Sequence, residues 1–66
     1  MVTTFNIVDK DGTIWARQVQ SMTLIKVASY LLKSQDPGAF YVDTFEGDRP
    51  GYRSSLIDFC KKRNIT

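Results

Sequence analysis

The chain has no histidine and a single cysteine, Cys60. The first absence removes the commonest general base and the commonest metal ligand. The second excludes an intramolecular disulfide, so packing alone must hold the fold. Together they leave no Cys–His nucleophilic pair and only one of the roughly four N/S ligands of a zinc site. The four glycines fall into neither G-x-G-x-x-G nor G-x-x-x-x-G-K-[ST], so no phosphate-binding loop is spelled out. No segment approaches the roughly 20 apolar residues of a membrane span. The N-terminus, Met-Val-Thr-Thr-Phe-Asn, has neither the basic region nor the apolar run of a signal peptide. These absences, with Met1 as a native start, predict a complete small cytoplasmic protein with no membrane partner and no cofactor.

What is present is an ordinary globular composition. At 42% hydrophobic and 24% charged, the chain is too apolar and too mixed in charge for a disordered segment. Its 66 residues make one domain. A domain near this size buries only about 60% of the surface its unfolded chain exposes, leaving a marginal core and little room for an enclosed cleft. The net charge of +2 is weak, but five of the nine basic residues lie in the last third: Arg49, Arg53, Lys61, Lys62 and Arg63.

Residues 3–8 and 13–19 are rich in β-branched and aromatic types and read as strands. The turn Asp9-Lys10-Asp11-Gly12 between them suits a type I turn closed by a G1 bulge, so the pair is a predicted hairpin. Placing Ile7 opposite Ile14 and Phe5 opposite Ala16 puts those four on the core face. Thr4, Asn6, Trp15 and Arg17 then share the other face, and a one-residue slip would exchange the sets.

Ser21 is a candidate N-cap for a helix to about Lys33. Its apolar stripe is Leu24, Val27, Ala28, Leu31 and Leu32, with Ile25 at the margin and Thr23, Lys26, Ser29, Tyr30 and Lys33 on the wet side. Asp36-Pro37-Gly38 ends that element. Phe40 to Phe45 alternates as a third strand with Phe40 and Val42 inward, and Glu46 to Gly51 reads as a loop. Ser55 and Asp58 form a capping box ahead of Leu56, Ile57, Phe59 and Cys60. Lys61, Lys62 and Arg63 suit the negative end of that last helix, and Asn64 suits its C-cap. The fold class is α+β, in the order ββαβα, with a small mostly antiparallel three-stranded sheet and two helices on one face.

The remaining motifs are structural. Counted as an EF-hand from Asp9, the required Gly and Glu positions hold Ile14 and Gln20, so Asp9–Gly12 is a turn. Glu46 and Asp48 would repel a phosphate held between Gly47 and Gly51. Asp43, Glu46 and Asp48 supply carboxylates such as glycoside hydrolysis uses, but no cleft. Cys60 lies on an apolar stripe and reads as a buried thiol. The triplet Asn64-Ile65-Thr66 has no secretory context.

Binding without catalysis is therefore the expectation, and two surfaces are candidates. The first is the non-core sheet face with Asn6, Trp15, Arg17, Tyr41 and Phe45, whose Trp, Tyr and Arg are hot-spot residues of protein interfaces. It predicts a modulator or inhibitor that docks a larger protein through that face or a sheet edge. Small accessory proteins of phages and mobile elements often have this size. The second surface, for nucleic acid, comprises Arg49, Tyr52, Arg53, Lys61, Lys62 and Arg63. An open sheet with free edges also makes a homodimer an expectation.

Overall fold

A computed structural model describes residues 2–66. The elements follow in the order β1 (Thr3–Asp9), β2 (Ile14–Val19), α1 (Ser21–Leu32), β3 (Phe40–Glu46), β4 (Arg49–Ser55) and α2 (Leu56–Arg63), with a 3-10 turn at Pro37–Ala39 before β3. The four strands form one antiparallel sheet in the order β2-β1-β3-β4. The architecture is ββαββα, so the three-stranded ββαβα expectation is corrected by one strand. The missing strand begins inside the segment read as a loop, Glu46 to Gly51, and runs on to Ser55. Its sequence, RPGYRSS, lacks alternation, and most of it is exposed. Pro50 is tolerated there because β4 is an edge strand.

The hairpin turn forms as its residues dictate. Gly12 sits at φ +86°. Its N–H donates to the Asp9 carbonyl at 3.0 Å, and the Asp9 N–H donates to the Thr13 carbonyl at 3.0 Å. Beyond the turn the register departs from expectation. Ile7 pairs with Ala16, Val8 with Ile14 and Phe5 with Val19. Strand β2 thus carries two extra residues, one at Trp15 and one at Arg17–Gln18. Each bulge shifts the alternation by one residue. Phe5, Ile7 and Ala16 reach the core as expected, but Ile14 does not and is 41% exposed.

Both helices pack on the same face, α1 over β1 and β2 and α2 over β3 and β4. Leu24, Ala28 and Leu31 of α1 and Leu56, Phe59 and Cys60 of α2 close over Phe5, Ile7, Ala16, Phe40 and Val42. Phe5 and Phe59 meet edge to face at 5.7 Å, and the Arg63 guanidinium lies 4.4 Å from the Phe59 ring centroid. Burial pushes the Cys60 thiol up, away from the reactive thiolate.

The helix ends split the expectations. Ser55 Oγ accepts the Asp58 N–H at 3.2 Å. Asn64 closes α2 in the left-handed region at φ 55°, with the Ile65 N–H returning to the Cys60 carbonyl at 2.9 Å. Ser21, in contrast, is already inside α1. The N-cap is Gln20, whose carbonyl accepts the Leu24 N–H at 2.9 Å and whose side chain makes no capping bond.

Candidate functional site

The registers of β1 with its two neighbours fix what the bare side of the sheet displays. Three rows cross it. The first runs Ile14, Val8, Tyr41, Ser55. The second contains Asn6, Asp43 and Arg53, continued on β2 by Arg17, the residue after inward-facing Ala16. The third is Thr4, Phe45, Pro50. A polar row is therefore flanked by two mostly apolar ones. Val8 is buried on this side although it lies outside the main core cluster. Tyr41 and Phe45 are half-buried and Arg17 is exposed.

The middle row is organised internally. Arg53 Nε donates to Asp43 Oδ1 at 2.6 Å and its Nη2 donates to Asp43 Oδ2 at 2.9 Å. This fork-to-fork geometry holds both groups in plane with each other. The Asp43 carboxylate pushes the Arg53 guanidinium up, deeper into its charged form. The guanidinium also lies 5.8 Å from the Tyr41 ring centroid. Asn6 is committed to the fold: its Oδ1 accepts the Gln18 N–H at 2.7 Å. That bond supports the second bulge of β2, where Gln18 adopts φ 51°. Arg17 makes no ion pair among the described residues.

Next to this row is a depression of about 220 Å³, lined by Asp43, Phe45, Pro50, Gly51, Tyr52 and Arg53. There β4 bulges opposite Thr44, and Gly51 passes close to the β3 backbone. A Cβ at Gly51 would stand 2.9 Å from the Thr44 carbonyl oxygen, inside any normal contact.

Four of the five residues expected on this face are there: Asn6, Arg17, Tyr41 and Phe45. Trp15 is not. The first bulge turns it to the helix side, at the hairpin end of the sheet. There its ring meets Phe40 edge to face at 5.5 Å and its Nε1 donates to Asp9 Oδ2 at 3.0 Å. Sequence reasoning put Asp43 outward with Tyr41 and Phe45, and missed Val8, Ile14 and Pro50 as members of the face. For Val8 the signal was available, since it continues the alternation Thr4, Asn6, Val8.

The residues of the expected basic patch are divided. Arg53 is on the bare face and held by Asp43. Arg49 pairs with Glu46 in the register of the β3–β4 hairpin. Tyr52 is 57% exposed on the edge strand. Lys61 and Lys62 are exposed on α2, on the other side of the sheet, and Arg63 lies against Phe59 and Phe5.

A second depression, of about 330 Å³, lies between the β1–β2 turn and the segment before β3, beside Asp9, Asp11, Asp36 and Phe40. Asp9 is already engaged: Oδ1 accepts the N–H groups of Asp11 and Thr13, and Oδ2 accepts Trp15. Among the described residues no group of three or more acidic or cysteine side chains is placed to hold a metal ion. Among the described residues no helix is long and apolar enough to cross a membrane. The chain matches no protein-family model, no curated protein and no solved structure.

Proposed function

We propose that the chain is a non-catalytic binding module that modulates a larger, different protein by docking it through the bare sheet face. The observation that carries this reading is the arrangement of that face: two apolar strips around a polar row, with a depression at one side and a cation, Arg17, without an ion-pair partner among the described residues. Tyr and Arg are enriched at interface centres, and hot-spot side chains fill pockets. The molecule is a slab of 34 × 26 × 16 Å. Its broad face is on the scale of the about 800 Å² that each partner contributes to a standard interface.

Charge argues for an unlike partner. An isologous dimer places each residue of the patch near its own symmetry mate or near the residue it mirrors. A two-fold axis along the strands through the centre of the face brings Arg17 toward Arg53. One across the strands brings Arg17 toward Arg17 and Asp43 toward Asp43. Both juxtapose like charges. A different protein that presents apolar side chains and a carboxylate opposite Arg17 meets no such penalty. The edges are also poor docking sites. Two bulges interrupt β2, and β4 carries Pro50 and its own bulge, devices that discourage strand addition.

The test is charge reversal at Arg17 on the tagged chain expressed in its native cell. Arg17→Glu touches no core residue, so its circular dichroism and melting curve should match the parent. The reading predicts that a protein co-purifying with the parent is lost from Arg17→Glu and from Phe45→Ser. Retention of the same partner by both variants would refute it.

A further inference from the structure

The fold separates charge between its two layers. Helix α1 with its cap residue, and α2 with the residues after it, contain Lys26, Lys33, Lys61, Lys62 and Arg63 against Asp58 alone, a net side-chain charge of +4. The strands and turns contain four basic and six acidic residues, a net of −2. The balance of +2 for the whole chain conceals this division. The helix dipole accounts for the cluster at the end of α2. On α1, which has no acidic residue, it favours Lys33 at the C-cap but does not account for Lys26 in mid-helix.

The outward side of α1 has an ordered pattern. Leu24, Ala28 and Leu31 face the sheet. Lys26, Tyr30 and Lys33 are exposed on the opposite side, with Tyr30 at 75% exposure. Lys26 and Lys33 are four residues before and three after Tyr30, so both are its neighbours on the helix surface. Helix α2 packs beside α1 on the same layer and adds Lys61 and Lys62.

We infer that this helical layer is a second binding surface, for single-stranded nucleic acid. Tyr30 is the stacking platform for a base, and Lys26, Lys33, Lys61 and Lys62 contact phosphates. An aromatic ring between cations is the arrangement that unpaired strands use, because every base has a π face and every linkage a charge. Lysine is a point-charge donor suited to phosphate without base readout, so binding is tolerant of sequence. An anionic bilayer fits less well. The exposed apolar residues of α1, Met22 and Ile25, are separated from Tyr30 by Lys26 and Ser29, so no continuous apolar stripe is available for insertion. This surface is on the opposite side of the slab from the protein-docking face, and neither proposal depends on the other.

The experiment is fluorescence anisotropy of labelled oligothymidine and of a mixed-sequence RNA strand, titrated with the intact chain at several salt concentrations. Binding should appear at low salt and weaken steeply as salt rises. Lys26→Ala/Lys33→Ala should reduce the salt slope by about 0.7 per lysine removed. Tyr30→Ala should weaken binding roughly tenfold. Lys61→Ala/Lys62→Ala is a second variant, read in the same way, and all of these positions are exposed. Phe45→Ser on the sheet face should bind as the parent does. Three results would each overturn the inference: no salt-dependent binding, equal binding by the lysine variants, or a greater loss from Arg49→Ala/Arg53→Ala than from Lys26→Ala/Lys33→Ala. Binding to anionic vesicles with none to either oligonucleotide would overturn it as well.

Discussion

The indole N–H of Trp15 donates to Asp9 Oδ2 at 3.0 Å, across the turn that joins the first two strands. This bond ties the only tryptophan to the most heavily hydrogen-bonded carboxylate among the described residues. It also explains why an exposed aromatic in a predicted strand is absent from the open sheet face.

The same bond makes the hairpin acid-sensitive. Hydrogen bonds from Trp15, and then from the Thr13, Asp11 and Gly12 backbone, hold the Asp9 carboxyl below its ordinary value of 3.8, against a smaller opposing effect of burial. A depressed folded pKa stabilises the native state fully above the ordinary value, and the contribution is lost as pH falls through the lower folded value. Trp15 fluorescence should therefore change in a step below pH 3.8. Asp9→Asn should lack that step. An identical acid step in Asp9→Asn would show that other carboxylates cause it.

Helix α1 begins without a side-chain cap. Gln20 already has the extended backbone of an N-cap, at φ −79° and ψ 167°. Gln20→Asp or Gln20→Ser should raise stability by about 1 kcal/mol, by giving a free N–H of the first turn an acceptor. Thermal melting checks this, and an unchanged or lowered midpoint for both would count against the assigned helix start.

The second bulge of β2 places Gln18 at a positive φ that costs a non-glycine residue roughly 1 kcal/mol. Gln18→Gly should be stabilising by about that amount. Asn6→Ala should be destabilising by about 1 kcal/mol, because the Gln18 N–H loses its acceptor at 2.7 Å. If denaturant midpoints move in the opposite directions, the register of β1 with β2 is different from the one described.

Two positions on the β3–β4 hairpin should respond oppositely to added methyl groups. Gly51→Ala puts a Cβ 2.9 Å from the Thr44 carbonyl oxygen and should cost about 1–3 kcal/mol. Thr44→Val replaces a buried hydroxyl that has no hydrogen-bond partner among the described residues and should be neutral or stabilising by about 1 kcal/mol. Urea unfolding of both variants tests the bulge and the orphan hydroxyl together.

The elements that were legible in the sequence are those whose local chemistry agrees with the tertiary structure. Asp9 and Gly12 specify the first turn, Ser55 and Asp58 the start of α2, and Leu24, Ala28 and Leu31 the buried side of α1. Strand β4 was not legible, because an edge strand needs neither alternation nor freedom from proline. The register of β2 was not legible either. Its bulges depend on a long-range bond from the Gln18 N–H to Asn6 Oδ1 and on the docking of Trp15 against Phe40, and neither has a local signature. For this reason the binding face could be outlined from Asn6, Arg17, Tyr41 and Phe45, while Trp15 was misplaced. The basic helical layer emerged only when the fold placed α1, with Lys26 and Lys33, and α2, with Lys61 and Lys62, on the same side of the sheet.

The most direct measurement for the account is photo-crosslinking from position 45 inside the native cell. A benzophenone amino acid at Phe45 lies in the outer apolar row of the bare sheet face, beside Thr4 and Pro50. The account predicts one discrete adduct of this chain with a larger, different protein, absent when Arg17→Glu is added and absent when the crosslinker is at Asp11 in the β1–β2 turn. An adduct between two copies of the chain, or an adduct that survives Arg17→Glu, would contradict it.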